Sequence, residues 1–139
     1  MINRSSVLIT GASTGIGSVY AERFAQRGHN LVLVARDKAK LEALGARLRS
    51  EAGVKVDVLP ADLTKSEEIA SVEARLRDDD EIGILVNNAG ASLGGTFVQQ
   101  APDDVARLIA LNATAVARLA SAVAPRFVEA GKGAIINIS

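Results

Sequence analysis

Short apolar runs alternate along this chain with segments of helical periodicity. Val7–Ile9, Leu31–Ala35, Ile84–Val86 and Ala134–Ile138 are rich in Val, Ile, Leu and Ala with few polar interruptions. Strands buried on both faces of a parallel sheet have this composition. Val54–Leu59 differs, because Lys55 and Asp57 interleave with its apolar residues. That alternation suits a strand near a sheet edge.

The intervening segments predict helices. Ile16, Val19, Tyr20 and Phe24 suggest the apolar face of a first helix, and Gly28 supplies a left-handed stop. Leu41, Leu44 and Leu48 mark a second helix that ends at Gly53. Thr64-Lys65-Ser66-Glu67 has the spacing of a capping box opening a third. A longer helix is expected from Pro102 to about Ala130, with Pro125 the position for any kink. Strict alternation of strand and helix implies one α/β domain with a parallel sheet and right-handed crossovers. The expected fold is a doubly wound (Rossmann) sheet of order 3-2-1-4-5, with a flavodoxin-like order as the alternative. In either arrangement ligands gather beyond the carboxyl ends of the strands.

Composition narrows the field. The chain has 139 residues, is 48% hydrophobic and is formally neutral, so it can bury a core and shows no charge bias toward nucleic acid or membranes. With 3% aromatic residues and no Trp, it lacks stacking platforms for bases. The absence of Cys excludes disulfides, thiolate catalysis and zinc ribbons, and no metal site is expected. The N-terminus lacks the apolar run of a signal peptide, and no unbroken apolar segment reaches bilayer length; Val105–Val123 is interrupted by Arg107, Asn112 and Arg118. A cytoplasmic location is the expectation.

Gly11, Gly15 and Gly17 fall between the first strand and the first helix. Glycine permits positive φ and removes the Cβ that would hold a ligand off the backbone. The helix behind them offers unpaired N–H groups and a partial positive charge, a suitable seat for a diphosphate. Ser13 and Thr14 add hydroxyls to the loop. A P-loop would need Gly-Lys-Ser/Thr, which is absent. A methyltransferase would usually carry an acid after the second strand, where Ala35 and Arg36 stand. Arg36, with Lys38 in support, suits the 2′-phosphate of NADP(H). A one-residue shift in register would instead bring Asp37 to the ribose and favour NAD(H).

Taken together, Thr10-Gly11-x-x-x-Gly15-x-Gly17, Asp62-Leu63 and Asn87-Asn88-Ala89-Gly90 resemble the compact branch of the short-chain dehydrogenase/reductase family. The resemblance implies that Gly11, Ser13, Thr14, Gly15, Ile16 and Gly17 hold the cofactor with Arg36. It implies that Asp62 meets the adenine amino group beside the Leu63 N–H. Asn87, Ala89 and Gly90 would tie the fourth strand to its neighbours and line the adenosine-ribose side. Asn112 would help hold a water in the catalytic proton relay.

The implied reaction moves a hydride between nicotinamide and a small carbonyl or alcohol substrate. The family's Tyr-x-x-x-Lys pair does not occur: Tyr20 is the lone tyrosine and Phe24 stands four residues on. Ser139 is expected to lie one residue before the catalytic serine. The chain is therefore expected to be the cofactor-binding part of a longer enzyme, lacking the last strands and inactive alone. A non-catalytic dinucleotide-binding module, as sensor or assembly subunit, is the alternative. The long helix is apolar around much of its circumference, which with the resemblance implies a homodimer or homotetramer.

Overall fold

A computed structural model describes residues 4–139. Five parallel strands form one sheet of order β3-β2-β1-β4-β5. They are β1 (Ser6–Thr10), β2 (Leu31–Ala35), β3 (Val56–Pro60), β4 (Ile82–Asn87) and β5 (Ala134–Asn137). β1 pairs with β2 from Val7↔Leu31 to Thr10↔Val34, and with β4 on its other side. β3 is an edge strand, as its alternating sequence suggested.

Helices cover both faces. Val7, Ile9, Leu31 and Leu33 point toward α1 (Gly15–Gln26) and α2 (Lys38–Ala52). Leu8, Val32, Val34 and Leu85 point toward α3 (Ser66–Asp78) and α5 (Ala115–Ala130). The central strands are buried on both sides, which is why they carry no alternation. β5 is mostly exposed and forms the other edge.

Several expectations need correction. α1 buries Gly17, Ala21 and Ala25, whereas Ile16 and Val19 are exposed. Tyr20 and Phe24 only flank the core. This helix lies so close to β1 that small residues must form the contact. The proposed capping box is absent: Lys65 is the N-cap of α3 and makes no side-chain cap. Thr64 turns back to Asp62 instead. His29 is half-buried, with Nδ1 2.6 Å from the Ser5 carbonyl and its ring edge-on to Phe24.

The long helix comprises α4 (Pro102–Ile109), a π turn (Ala110–Thr114) and α5. The recorded break in its helical pattern is thus the π turn rather than Pro125, which lies inside α5. The helix spans 29 residues, and its most apolar 18-residue stretch has a mean hydropathy of 1.4, enough by length and composition alone to cross a bilayer despite the charged interruptions. Ala115, Leu119, Val123 and Phe127 are nevertheless buried against the sheet.

Candidate cofactor site

The site is organised by a junction between the first and fourth strands. Thr10, at the end of β1, is 1% exposed. Its Oγ1 accepts from the Asn88 and Ala89 backbone N–H groups, each at 3.0 Å, and donates to the Val86 carbonyl at 3.4 Å. Asn88 Nδ2 donates to the Gly11 carbonyl at 3.1 Å. Gly17 closes the junction, since a Cβ there would overlap that carbonyl oxygen. Gly11 and Gly15 have positive φ values of 63° and 56°.

The three glycines therefore have different tasks. Gly11 is left-handed and crowded, with a Cβ position 2.9 Å from Ala89 Cα. Gly17 permits close packing of α1. Gly15 is left-handed with nothing within 4 Å of its Cβ position, so its bare side faces open space. It starts α1, whose first turn carries no acid and whose N-cap Thr14 makes no side-chain cap. Exposed N–H groups, an uncompensated helix dipole and loop hydroxyls converge there, as an anionic diphosphate requires.

From this loop a cavity of about 650 Å³ runs across the carboxyl end of the sheet. Gly11, Ser13, Thr14, Arg36, Asp62 and Leu63 line it, and Ala89 and Gly90 form its floor near β4. Arg36 follows β2 directly and is exposed. Asp37 is engaged as the N-cap of α2, accepting from the Lys40 N–H at 3.0 Å. The basic neighbour of Arg36 at the cavity is Lys40 rather than the expected Lys38.

Asp62 is held by its own turn. Its Oδ1 accepts the Thr64 hydroxyl at 2.6 Å and the Thr64 N–H at 3.0 Å. Burial acts against the charged form, but the Thr64 hydrogen bonds and the charges of Arg36 and Lys65 prevail. They hold the carboxyl below its ordinary range. Its backbone N–H donates to Glu68. The result is an ionised acceptor beside Leu63 at the cavity wall.

Asn87 does not line the cavity. It is 2% exposed, and its Nδ2 donates to Asn137 Oδ1 at 3.1 Å and to the Val116 carbonyl at 3.4 Å. It ties β4 to β5 and α5, which agrees with the binding-together half of its predicted role. Asn112 also has its amide engaged: Oδ1 accepts the Ala91 N–H at 2.9 Å and Nδ2 donates to the Ala91 carbonyl at 2.7 Å. The second Nδ2 hydrogen and the second Oδ1 lone pair have no partner among the described residues, and the side chain is exposed. Ile16 is exposed just beyond the loop. Thr10 and Asn88 stand in the motifs quoted above without a role assigned there, and Lys40 lines the cavity without having been named at all. The Asn-Asn doublet and the Thr-Gly pair were visible signals for Asn88 and Thr10, and Lys40 had none.

A larger groove of about 740 Å³ lies between α3 and α5. Within it Arg118 pairs with Glu73 at 2.7 Å, and Arg126 donates to the Leu76 carbonyl. It lacks the glycine loop and the open helix N-terminus.

Comparison with known proteins agrees with this geometry. A solved short-chain dehydrogenase from Sphingobium yanoikuyae in complex with NADPH is 64% identical, with a TM-score of 0.96 over 97% of this chain and 53% of that one. The bulky-bulky ketone specific alcohol dehydrogenase from Comamonas testosteroni is 57% identical, with a TM-score of 0.98 over 99% of this chain and 55% of that one. Human 17-beta-hydroxysteroid dehydrogenase type 3 is 37% identical over 134 residues, 95% of this chain and 43% of that protein. The chain thus spans about half the length of these relatives. The family description "short chain dehydrogenase" matches residues 5–139. The glycine loop, the strand order and the Asn87–Gly90 junction all lie within that match, and the chain belongs to the short chain dehydrogenase family.

Proposed function

We propose that this chain is the cofactor-binding half of an NADP(H)-dependent oxidoreductase acting on a carbonyl or alcohol substrate. One observation carries the cofactor preference: Arg36 and Lys40 stand at the cavity, while Asp37, which also lines it, spends its Oδ1 on the α2 cap. An NAD site would need that acid free for the ribose. Arg36 would fork onto a 2′-phosphate, with Lys40 beside it. The NADPH complex of the Sphingobium relative supports this reading.

The chain's own residues bind and orient. The Gly11–Gly15 loop seats the diphosphate, Asp62 accepts from the adenine amino group, and Ile16 shields the nicotinamide end. When bound, the cofactor supplies hydride transfer. Asn112 fixes the segment after β4 through Ala91. In a π turn the N–H groups pair five residues back, which leaves a main-chain carbonyl without its ordinary partner. A relay water would be held there. The ketone specificity of the Comamonas relative supports a carbonyl substrate. Exposed Ile109 and Val128 on the long helix support a dimer or tetramer formed through it.

Calorimetric titration with NADPH and NADH tests the assignment. The parent chain is expected to prefer NADPH, and Arg36→Ala is expected to lower that preference by about tenfold, the effect of losing one charge-assisted contact. An unchanged ratio contradicts the role of Arg36.

A further inference from the structure

The cavity has one cation that the reading above leaves unused. Arg107, in the last turn of α4, lines it together with Leu108 and Leu111. Arg107 is exposed and forms no ion pair among the described residues.

Its position follows from the π turn. Arg107 and Leu119 are twelve residues apart, which in an uninterrupted α-helix places them about 120° apart around the axis. Leu119 is fully buried against the sheet, so Arg107 would then point well away from that side. The π turn between them absorbs one extra residue, a phase change of about 100°. Arg107 is thereby brought to within about 20° of the Leu119 stripe. Because α4 extends past the sheet, that direction leads into the cavity.

Its surroundings indicate which part of a ligand it meets. Leu111 packs against the core cluster that contains Leu63 and Ala61. Leu63 and Leu111 therefore give the cavity an apolar section next to the Asp62 carboxylate, which suits a flat, hydrogen-bonding base. Arg107 lies one helical turn out from Leu111, at the rim of that section. A guanidinium stacks on aromatic faces as well as pairing with anions. The phosphate-directed cations, Arg36 and Lys40, come from the β2–α2 side instead.

We propose that Arg107 packs its guanidinium on the adenine of the bound cofactor, as an affinity determinant that does not distinguish NADP(H) from NAD(H). This rests on the dinucleotide reading of the site. The experiment is calorimetric titration of the parent chain, Arg107→Ala and Arg36→Ala with NADPH and with NADH. The expected result is about fivefold weaker binding of both cofactors to Arg107→Ala, with their ratio unchanged. Wild-type affinity for both overturns the proposal, and so does a loss confined to NADPH, which would make Arg107 a phosphate contact. A parent chain that binds neither cofactor overturns the dinucleotide reading itself, and this proposal with it. Arg107→Gln serves as the second variant should the thermal melt of Arg107→Ala differ from the parent's.

Discussion

Asn88 and Gly11, 77 residues apart in sequence, are joined by a 3.1 Å hydrogen bond from the Asn88 side-chain amide to the Gly11 carbonyl. The bond ties the glycine loop to the end of β4. Gly17 stands against both partners: its Cβ position lies 2.5 Å from Asn88 Nδ2 and overlaps the Gly11 carbonyl oxygen.

Gly17→Ala is therefore expected to destabilise the fold by about 3 kcal/mol, a typical cost of overpacking against backbone. Gly15→Ala meets only the strain of its left-handed conformation, about 1–2 kcal/mol, because its surroundings are open. Urea denaturation of the two variants should rank them in that order, with NADPH binding weakened in both. Equal stability would contradict the division of tasks among the glycines.

Thr10 bears a comparable burden. Thr10→Val keeps the shape but removes the acceptor of the Asn88 and Ala89 N–H groups. A loss of about 2 kcal/mol is expected in urea denaturation, with Thr10→Ser nearer the parent. Parental stability in Thr10→Val would show that these N–H groups find other partners.

Asp62 predicts an acid-limb effect. Its carboxyl titrates lower in the folded chain than its ordinary value of 3.8. Its contribution is therefore present above that value and is lost as pH falls through the lower folded value. Stability followed by urea denaturation from pH 5 downward should fall more steeply below about pH 4 in the parent than in Asp62→Asn. Parallel curves would mean that the Thr64 bonds do not favour the ionised form.

Much of this architecture is legible in the sequence because burial on both faces leaves a distinct signature. Val7–Ile9 of β1 and the whole of β2 could be apolar without alternation only between two helical layers, and Lys55 and Asp57 marked β3 as an edge. The glycine loop was legible because its residue types are dictated by φ and by closeness. The same closeness concealed the packing face of α1: Ile16, Val19, Tyr20 and Phe24 carry the visible apolar signal, while Gly17, Ala21 and Ala25 make the contact. Thr64 has the right spacing for a cap, yet Asp62 two residues earlier is a competing acceptor. The π turn leaves no periodic trace, since one inserted residue only changes the phase between two helices that each read as regular. The placement of Arg107 at the cavity depends on that phase and becomes visible only in three dimensions.

The central claim is that a dinucleotide diphosphate rests on the backbone at the start of α1. A crystal structure of the chain grown with NADPH tests it most directly. The account predicts diphosphate oxygens against the Gly11–Gly15 loop and the 2′-phosphate at Arg36. A diphosphate bound elsewhere, or an NADPH that does not bind at all, would contradict it.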